Sequence, residues 1–425
     1  MLNRFSTTAF ALPESVTHGT KSLADSLNSE RRRRQVLDLG IGTLDLPTDP
    51  RIADAIGEAA HRNRRQLHEF SPVRGYGFLR EAISARVARL HGLQADPLRE
   101  VLVTPGGIKG ALTVIFHTFL EPGDEVLVPV PNWPHYVDMI RLHGGVARPI
   151  LPSGGVRLGL TARDLERHLD DSSRLLVLGD CVNPTGKVYS GEEIEEIARV
   201  VARHNLDCSA VGLPGVDVVL DCPYEAHVRL PRPPLFAGID IALASGRQRM
   251  GDRTVYVSGP GKTYGMHGDR LGYLIAPPEV VDVASRVQAN TNSFASSYAQ
   301  IACHRALQED MDEVAEERAR LARQSLEATF GRLAAIEGID LEAPDGAYFL
   351  FVDFSHHSEH YVSRGYESAA SFLLGEADIA TVDGSRFVEG VPGFEHWVRI
   401  NCGRSPEILE EACARIEQVL EGALR

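Results

Sequence analysis

Short apolar runs alternate with helix-like stretches from about residue 100 onward, and this alternation constrains the fold more than any other feature. The runs lie at residues 101–103, 125–128, 174–178, 216–220 and 254–257. Strands separated by helices need crossover connections, which produce a mainly parallel sheet with helices on both faces. We therefore expect an α/β fold whose large domain is built on such a sheet.

The size of the chain indicates a second, smaller domain. A chain of 425 residues with 43% hydrophobic content can bury more than one core. Residues 297–333 have a long helical pattern, and the last hundred residues contain two apolar runs and a terminal helix, which predicts a small α+β domain. We expect an irregular N-terminal arm at 1–50 that joins the small domain. The large, ligand-binding domain is expected at 51–296, and an interdomain helix with the small domain at 297–425.

Charge and cysteine usage exclude several classes of protein. A net charge of −14 argues against general binding to nucleic acid or anionic membranes, and the chain contains no apolar run of membrane-spanning length. The N-terminus lacks the apolar core of a secretory signal. The six cysteines form no Cys-x-x-Cys pair, so the sequence indicates neither a zinc site nor a disulfide framework. We expect a cytoplasmic protein with reduced thiols and no metal.

One lysine, Lys262, lies in a turn of small residues directly after the apolar run at 254–257. A lysine held in a tight turn at a strand end can be desolvated and oriented, and its amine is then a nucleophile toward an aldehyde. Arg270 follows eight positions later. A surface lysine in a glycine-rich loop is the alternative interpretation.

Other polar candidates also follow predicted strands, where doubly wound sheets bind their ligands. Gly106 and Gly107 precede a helix whose free N–H groups favour a phosphate. Asp221 follows a buried run, where a carboxylate needs a cation or several donors, unless it only caps a helix. Asn183 opens an Asn-Pro turn and Trp133 follows a strand, so a structural turn and a core aromatic are their alternatives.

These stretches together resemble the pyridoxal-phosphate aminotransferases of the aspartate aminotransferase type (class I/II, fold type I). The resemblance extends from about residue 39 to 404. It is carried by residues 103–112 with 121–126, Pro131-Asn132-Trp133-Pro134-His135-Tyr136, Asn183-Pro184-Thr185-Gly186, Asp221-Cys222-Pro223-Tyr224, and Lys262 with Arg270.

The resemblance implies the cofactor pyridoxal 5'-phosphate, held by Lys262 as a Schiff base. The cofactor-binding residues that it implies are Gly107, Ile108, Lys109, Trp133, Asn183, Asp221, Tyr224 and Arg270. In this family the aromatic residue stacks on the pyridine ring and the aspartate pairs with the ring nitrogen, which keeps the ring an electron sink. The asparagine and tyrosine bind the phenolic oxygen, and the arginine binds the phosphate.

The resemblance also implies a substrate site, a reaction and an assembly. Arg399 would bind the substrate α-carboxylate near Gly42, with Arg386 and Arg404 as weaker candidates. The expected reaction is transfer of an amino group between an α-amino acid and a 2-keto acid through Schiff-base and quinonoid intermediates. The alternatives are a β-eliminating lyase, a decarboxylase or another modified-amino-acid enzyme, and a non-catalytic regulator. A homodimer with its active site at the interface is expected.

Four positions depart from the family pattern. Gly259 replaces a serine that contributes to phosphate binding, although Ser258 is adjacent. Phe70 replaces a tyrosine that reaches the phosphate of the neighbouring subunit, and phenylalanine cannot donate a hydrogen bond. His267 and Asp269 stand where the family commonly has less polar or aromatic residues, and their roles stay open.

Overall fold

A computed structural model describes residues 4–13, 16–29, 34–62, 65–155, 159–229 and 231–421. Within these residues the strands are β1 Leu37–Asp38, β2 Val101–Pro105, β3 Glu125–Pro129, β4 Val146–Ile150, β5 Ser173–Gly179, β6 Asp217–Asp221, β7 Asp240–Leu243, β8 Gly246–Arg249, β9 Thr254–Ser258, β10 Leu271–Ile275, β11 Phe349–Asp353, β12 Ile379–Ala380, β13 Val382–Asp383 and β14 Trp397–Asn401. The helices are α1 Thr7–Ala11, α2 Val16–Ser29, α3 Pro50–Arg62, α4 Gly77–His91, α5 Ile108–Phe119, α6 His135–Leu142, α7 Ala162–His168, α8 Gly191–Ala210, α9 Gly261–Tyr264, α10 Pro278–Thr291, α11 Ser297–Ala306, α12 Asp312–Ala334, α13 Ser358–Val362, α14 Ala369–Ala377 and α15 Pro406–Leu420.

A seven-stranded sheet forms the centre of the fold, in the order β2-β10-β9-β6-β5-β3-β4. Only β10 runs antiparallel to its neighbours in this sheet. Alternate residues of one strand enter different apolar clusters: Leu176 and Leu178 pack in one, Leu175 and Val177 in the other. Because side chains alternate across a strand, the sheet buries both faces under helices. The expected α/β fold is confirmed.

The C-terminal part has its own core around the antiparallel sheet β11-β14-β13. Leu350, Phe372, Ile400 and Ile416 belong to this cluster. Strand β1 pairs in parallel with β12, so the segment before α3 joins the C-terminal sheet region. This pairing agrees with an N-terminal arm that joins the small domain. The boundary at 296/297 stays a prediction, because Ala299, Ala302 and Leu307 beyond it pack in the core of the large domain.

The five predicted strands of the large region are confirmed within two residues at each end, and β4 and β10 complete the sheet. Two predictions are wrong. The N-terminal arm is not irregular throughout, because α2 is a helix whose Ala24 packs with Val36 and Ala380. The pattern at 297–333 is two helices, α11 and α12, since Leu307 and Met311 between them are buried in the large core. Among the described helices, none is long and apolar enough to cross a membrane.

Candidate active site

A cavity of about 580 Å³ opens at the carboxyl edge of the central sheet. All eleven site residues named from the sequence line it: Gly42, Gly107, Ile108, Lys109, Trp133, Asn183, Asp221, Tyr224, Lys262, Arg270 and Arg399. The carboxyl ends of parallel strands meet at one edge of a sheet, and this geometry brings together residues that are far apart in sequence.

Lys262 lies in the short helix α9 directly after β9, and its amine donates a hydrogen bond to the carbonyl of Gly42. A Cβ atom at Gly42 would lie 3.7 Å from the Lys262 Nζ and 3.3 Å from the Phe349 ring, so glycine leaves the amine its room. Burial lowers the pKa of Lys262 to about 7, and the charges of Arg399 and Arg270 act in the same direction. A large fraction of this amine is therefore neutral, and nucleophilic, near neutral pH.

Asp221 is the last residue of β6 and is buried. The Tyr136 hydroxyl donates to its Oδ2 at 2.5 Å, while its Oδ1 has no hydrogen-bond partner among the described residues. Burial raises the pKa of Asp221 to about 7, opposed by the Tyr136 hydrogen bond and the charge of Lys262. A buried oxygen without a partner is costly, so this carboxylate fits an N–H donor entering from the cavity.

Tyr136 is a site residue to which the sequence assigned no role. It lines the cavity, and its ring lies 5.3 Å from that of Trp133 in an edge-to-face contact. The spacing of three residues after Trp133 is the signal that could have identified it, because both residues follow β3.

Backbone N–H groups and two cationic side chains lie together at the opposite end of the cavity. Gly107 has a φ of 73° and precedes α5, whose first N–H groups have no intrahelical partner. The Arg270 Nη2 donates to the carbonyl of Gly106 at 2.7 Å and would lie 3.4 Å from a Cβ atom at Gly107. Lys109 lies 5.3 Å from the centre of the Trp133 ring, and burial and Arg270 lower its pKa.

Arg399 lies on β14 and is buried, with its guanidinium 4.6 Å from the Phe349 ring centre. It donates to the Asn183 Oδ1 at 3.0 Å and to the carbonyl of Gly40. Burial lowers the pKa of Arg399 to about 10. Neither hydrogen-bond partner carries a negative charge, so the group suits an incoming carboxylate.

The other two arginine candidates lie outside the cavity. Arg404 donates to the Asp38 carbonyl at 2.9 Å and to its Oδ2 at 3.2 Å, and it lines a separate groove beside α12 and α15. Arg386 is exposed and does not line the cavity. Of these three arginines, only Arg399 lines the cavity.

Tyr224 and Asn183 complete the wall next to Asp221. Tyr224 is buried and packs edge-to-face on Phe349 at 5.6 Å, and burial raises the pKa of its hydroxyl well above the usual range. Because the Asn183 Oδ1 accepts from Arg399, its amide NH₂ is the group left to donate.

Two of the four departures, Gly259 and Phe70, lie at positions that the family uses for phosphate binding. The Ser258 Oγ donates to the Cys222 carbonyl at 2.8 Å, so this hydroxyl faces the core and does not replace a serine at position 259. A Cβ atom at Gly259 would lie 3.0 Å from the Leu271 carbonyl oxygen, a contact that a side chain would have to relieve. Phe70 is 91% exposed and does not line the cavity.

Of the other two departures, His267 lines the cavity and Asp269 does not. The His267 Nε2 is buried without a partner among the described residues. Burial and the charges of Lys262, Arg318 and Arg270 lower its pKa to about 3, so the imidazole is neutral. Asp269 is half-buried outside the cavity lining, and burial raises its pKa.

Comparison with known proteins agrees with this geometry. The family described as aminotransferase class I and II matches residues 34–416. An aspartate aminotransferase of Streptomyces avermitilis is 31% identical over 424 residues, covering 99% of this chain and 97% of the relative. A probable aspartate/prephenate aminotransferase of Aquifex aeolicus is 30% identical over 390 residues, with 91% of each chain covered.

A solved structure shows the same fold. The aspartate aminotransferase of Rhizobium meliloti superposes with a TM-score of 0.83 at 26% identity, covering 98% of this chain and 99% of the other. These relatives are transaminases, which disfavours the lyase and regulator alternatives. The family uses pyridoxal phosphate, and its solved members share the fold described above. The chain therefore belongs to the aminotransferase class I and II family and is a fold type I aminotransferase.

Proposed function

We propose that the cavity binds pyridoxal 5'-phosphate and exchanges an amino group between a dicarboxylic α-amino acid and a 2-keto acid. One observation carries the proposal: the half-buried amine of Lys262 shares the cavity with the buried carboxylate of Asp221, whose Oδ1 is unpartnered among the described residues. Such a pair is uncommon in a core and is typical of a site that completes itself with a ligand.

The residues present fit this cofactor. The free N–H groups at the start of α5 and the Arg270 fork suit its phosphate, and Asp221 suits its protonated ring nitrogen. The groups that would contact the cofactor are those of Gly107, Ile108, Lys109, Trp133, Asn183, Asp221, Tyr224, Lys262 and Arg270. When bound, the cofactor supplies an electron sink for negative charge at the substrate Cα.

Lys262 would hold the aldehyde of the cofactor, and its amine, when free, would move a proton at the substrate Cα. With a pKa of about 7 it can take the proton from the substrate Cα as a neutral amine and return it as an ammonium group. Arg399 binds the α-carboxylate with its planar fork and so orients the Cα–H bond, next to Gly42.

A second cation supports a substrate with a second carboxylate. The amine of Lys109 lines the cavity beside Trp133, and no salt bridge to it is formed within the described ranges. The relatives named above act on aspartate and on prephenate, and both compounds carry two carboxylates. We propose that Lys109 attracts the distal carboxylate of such a substrate.

We further propose a cytoplasmic homodimer. Phe70 is 91% exposed and lies 5.7 Å from the ring of Phe294 in an edge-to-face contact, and both line a surface groove with Leu67 and Tyr298. An exposed aromatic patch of this kind marks an association surface, and a second copy of the chain would cover it. All six cysteines are free and buried, which supports a reducing compartment.

The deciding experiment compares the cofactor-loaded wild type with Lys262→Ala. We expect the wild type to show a visible absorbance band that borohydride abolishes, and turnover of aspartate or glutamate that requires a keto acid. Lys262→Ala should lose both, with activity falling at least about 10⁴-fold. Release of ammonia from the amino acid without any keto acid, or full activity in Lys262→Ala, would overturn the proposal.

A further inference from the structure

Two buried side chains bind the backbone of the lysine turn and not its amine. The carbonyl of Lys262 accepts a hydrogen bond from the His227 Nε2 at 3.3 Å, and the carbonyl of Thr263 accepts one from the Arg318 Nε at 3.1 Å. His227 and Arg318 are 7% and 5% exposed. The turn that carries the reactive amine is therefore anchored from two distant parts of the chain.

The chemistry of the contact fixes the protonation of His227. A backbone carbonyl can only accept, so Nε2 must carry the hydrogen. Its Nδ1 is buried and has no partner among the described residues, so a second proton would have nowhere to donate. Burial and the charges of Arg318 and Lys262 lower the pKa of His227 to about 4. The ring is therefore a neutral donor throughout the neutral pH range.

His227 itself is held rigidly by the walls of the active site. Its N–H donates to the Tyr224 carbonyl at 2.7 Å, and its carbonyl accepts from the N–H of Ala347 at 3.1 Å. Its ring packs edge-to-face on Tyr348 at 5.0 Å. The Tyr348 hydroxyl donates at 3.3 Å to the carbonyl of Gly42, which also accepts from the Lys262 amine.

We propose that His227 is a positioning residue for Lys262: it anchors the lysine carbonyl and so fixes the backbone from which the reactive amine projects. The inference rests on the proposed role of Lys262 and assigns to His227 no contact with substrate or cofactor. Proton transfer depends steeply on the placement of the reacting atoms, so a turn freed on one side places the amine less well.

The test uses substitutions that separate the hydrogen bond from packing. His227→Phe keeps an aromatic ring against Tyr348 but removes the donor, whereas His227→Gln keeps an N–H donor of similar reach. His357 provides a matched control, because it is 1% exposed, its Nε2 contacts the Glu337 carbonyl at 2.9 Å, and its Nδ1 is likewise unpartnered among the described residues. His357→Phe therefore loses a hydrogen bond of the same kind outside the cavity lining, and His357→Gln keeps it.

We expect His227→Phe to lower kcat about tenfold while KM for the amino acid changes less than about twofold. The pH midpoint of the visible absorbance change should shift by about half a unit or more, because the lysine linkage is less well placed. In the cofactor-free protein, the rate at which an amine-reactive reagent labels Lys262 should change in the same variant. His227→Gln should recover most of each quantity, and His357→Phe should lower only the Tm.

The inference is overturned if folded His227→Phe keeps the wild-type kcat, absorbance midpoint and labelling rate, or if His357→Phe shifts them equally. If His227→Phe does not fold, the same quantities are compared between His227→Asn and His227→Gln. The shorter asparagine amide cannot reach the Lys262 carbonyl, whereas the glutamine amide can. Equal values for these two would count against the anchor. Failure of the proposed function looks different, because Lys262→Ala would then keep the absorbance band and the activity.

Discussion

The cavity has a buried end and an open end, and the two ends hold charge in different ways. At the buried end, Asp221 and Arg399 are buried and Lys262 is half-buried. Burial raises the pKa of Asp221 and lowers the pKa of Lys262 and of Arg399. At the open end, Arg270 is exposed and works beside the backbone N–H groups that follow Gly107.

This difference predicts different losses on substitution. In the buried end water cannot compensate for a missing charge, so removing one group changes the protonation of its neighbours and should impair catalysis. At the open end, solvent and several backbone N–H groups also stabilise a bound anion. A substitution there should therefore weaken cofactor binding more than it slows the reaction.

The largest effect is expected for Asp221→Asn, which removes the charge opposite the ring nitrogen. We expect kcat to fall about 10³-fold, since the electron sink loses its counter-charge. Steady-state kinetics of the loaded enzyme measure it. Asp217→Asn is the control, because Asp217 is at the other end of β6 and its pKa is also raised by burial. Equal losses in both variants would mean that the charge at 221 has no special role.

Arg399→Lys keeps the positive charge but loses the planar fork. We expect KM for the amino acid to rise about 100-fold with a smaller change in kcat, because two parallel hydrogen bonds to the carboxylate become one. Arg404→Lys, which changes an arginine bound to Asp38 outside the cavity, should leave KM unchanged. A KM that responds to Arg404 and ignores Arg399 would reverse the assignment.

At the open end, Arg270→Gln should weaken pyridoxal-phosphate binding about tenfold while kcat at saturating cofactor falls less than about threefold. Equilibrium binding followed by the visible absorbance change tests this. Arg247→Gln, in an exposed pair with Asp240, serves as the control. If kcat collapses as in Asp221→Asn, the contrast between the two ends is wrong.

The smallest effect concerns stability of the cofactor-free protein. Asp221 keeps its proton up to about pH 7 when folded but loses it near pH 3.8 when unfolded, so the free energy of unfolding falls between these values. Lys262 loses its proton near pH 7 when folded and near 10.5 when unfolded, so the free energy of unfolding rises across that interval.

Together these two groups give the free energy of unfolding a minimum near neutral pH. The corresponding decrease in Tm is on the order of a few degrees. Thermal melts at several pH values check it. Asp221→Asn should remove the acidic limb and Lys262→Ala the alkaline limb. Curves parallel to the wild type in both variants would show that the two side chains titrate normally.

The site residues at strand ends were predictable because two local signals coincide there: an apolar run, and a polar residue or a turn of small residues after it. Asp221 follows an apolar run directly, and Lys262 lies in the small-residue turn that follows another. The structure places both at the carboxyl edge of the sheet. Ser258 shows the limit of such reading. It is adjacent to the expected phosphate-binding position, yet its hydroxyl faces the core because neighbouring residues of a strand point to opposite sides.

Contacts between segments that are far apart in sequence could not be predicted from local sequence patterns. Tyr136 binds Asp221 across 85 positions of sequence, and His227 binds the backbone of Lys262 across 35. The helix α2 was missed for a related reason, since its buried Ala24 packs against Val36 and Ala380, and a pattern search sees no such partner.

The sequence by itself determined which chemical groups are present and that they stand at the ends of buried strands, because hydrophobic patterning is a local property of the chain. Only the tertiary structure decided which arginine enters the cavity and which side chains anchor the lysine turn. The tertiary structure also decided the protonation state of each buried titratable side chain. These outcomes depend on burial and on distances between segments far apart in sequence, and both are set by packing.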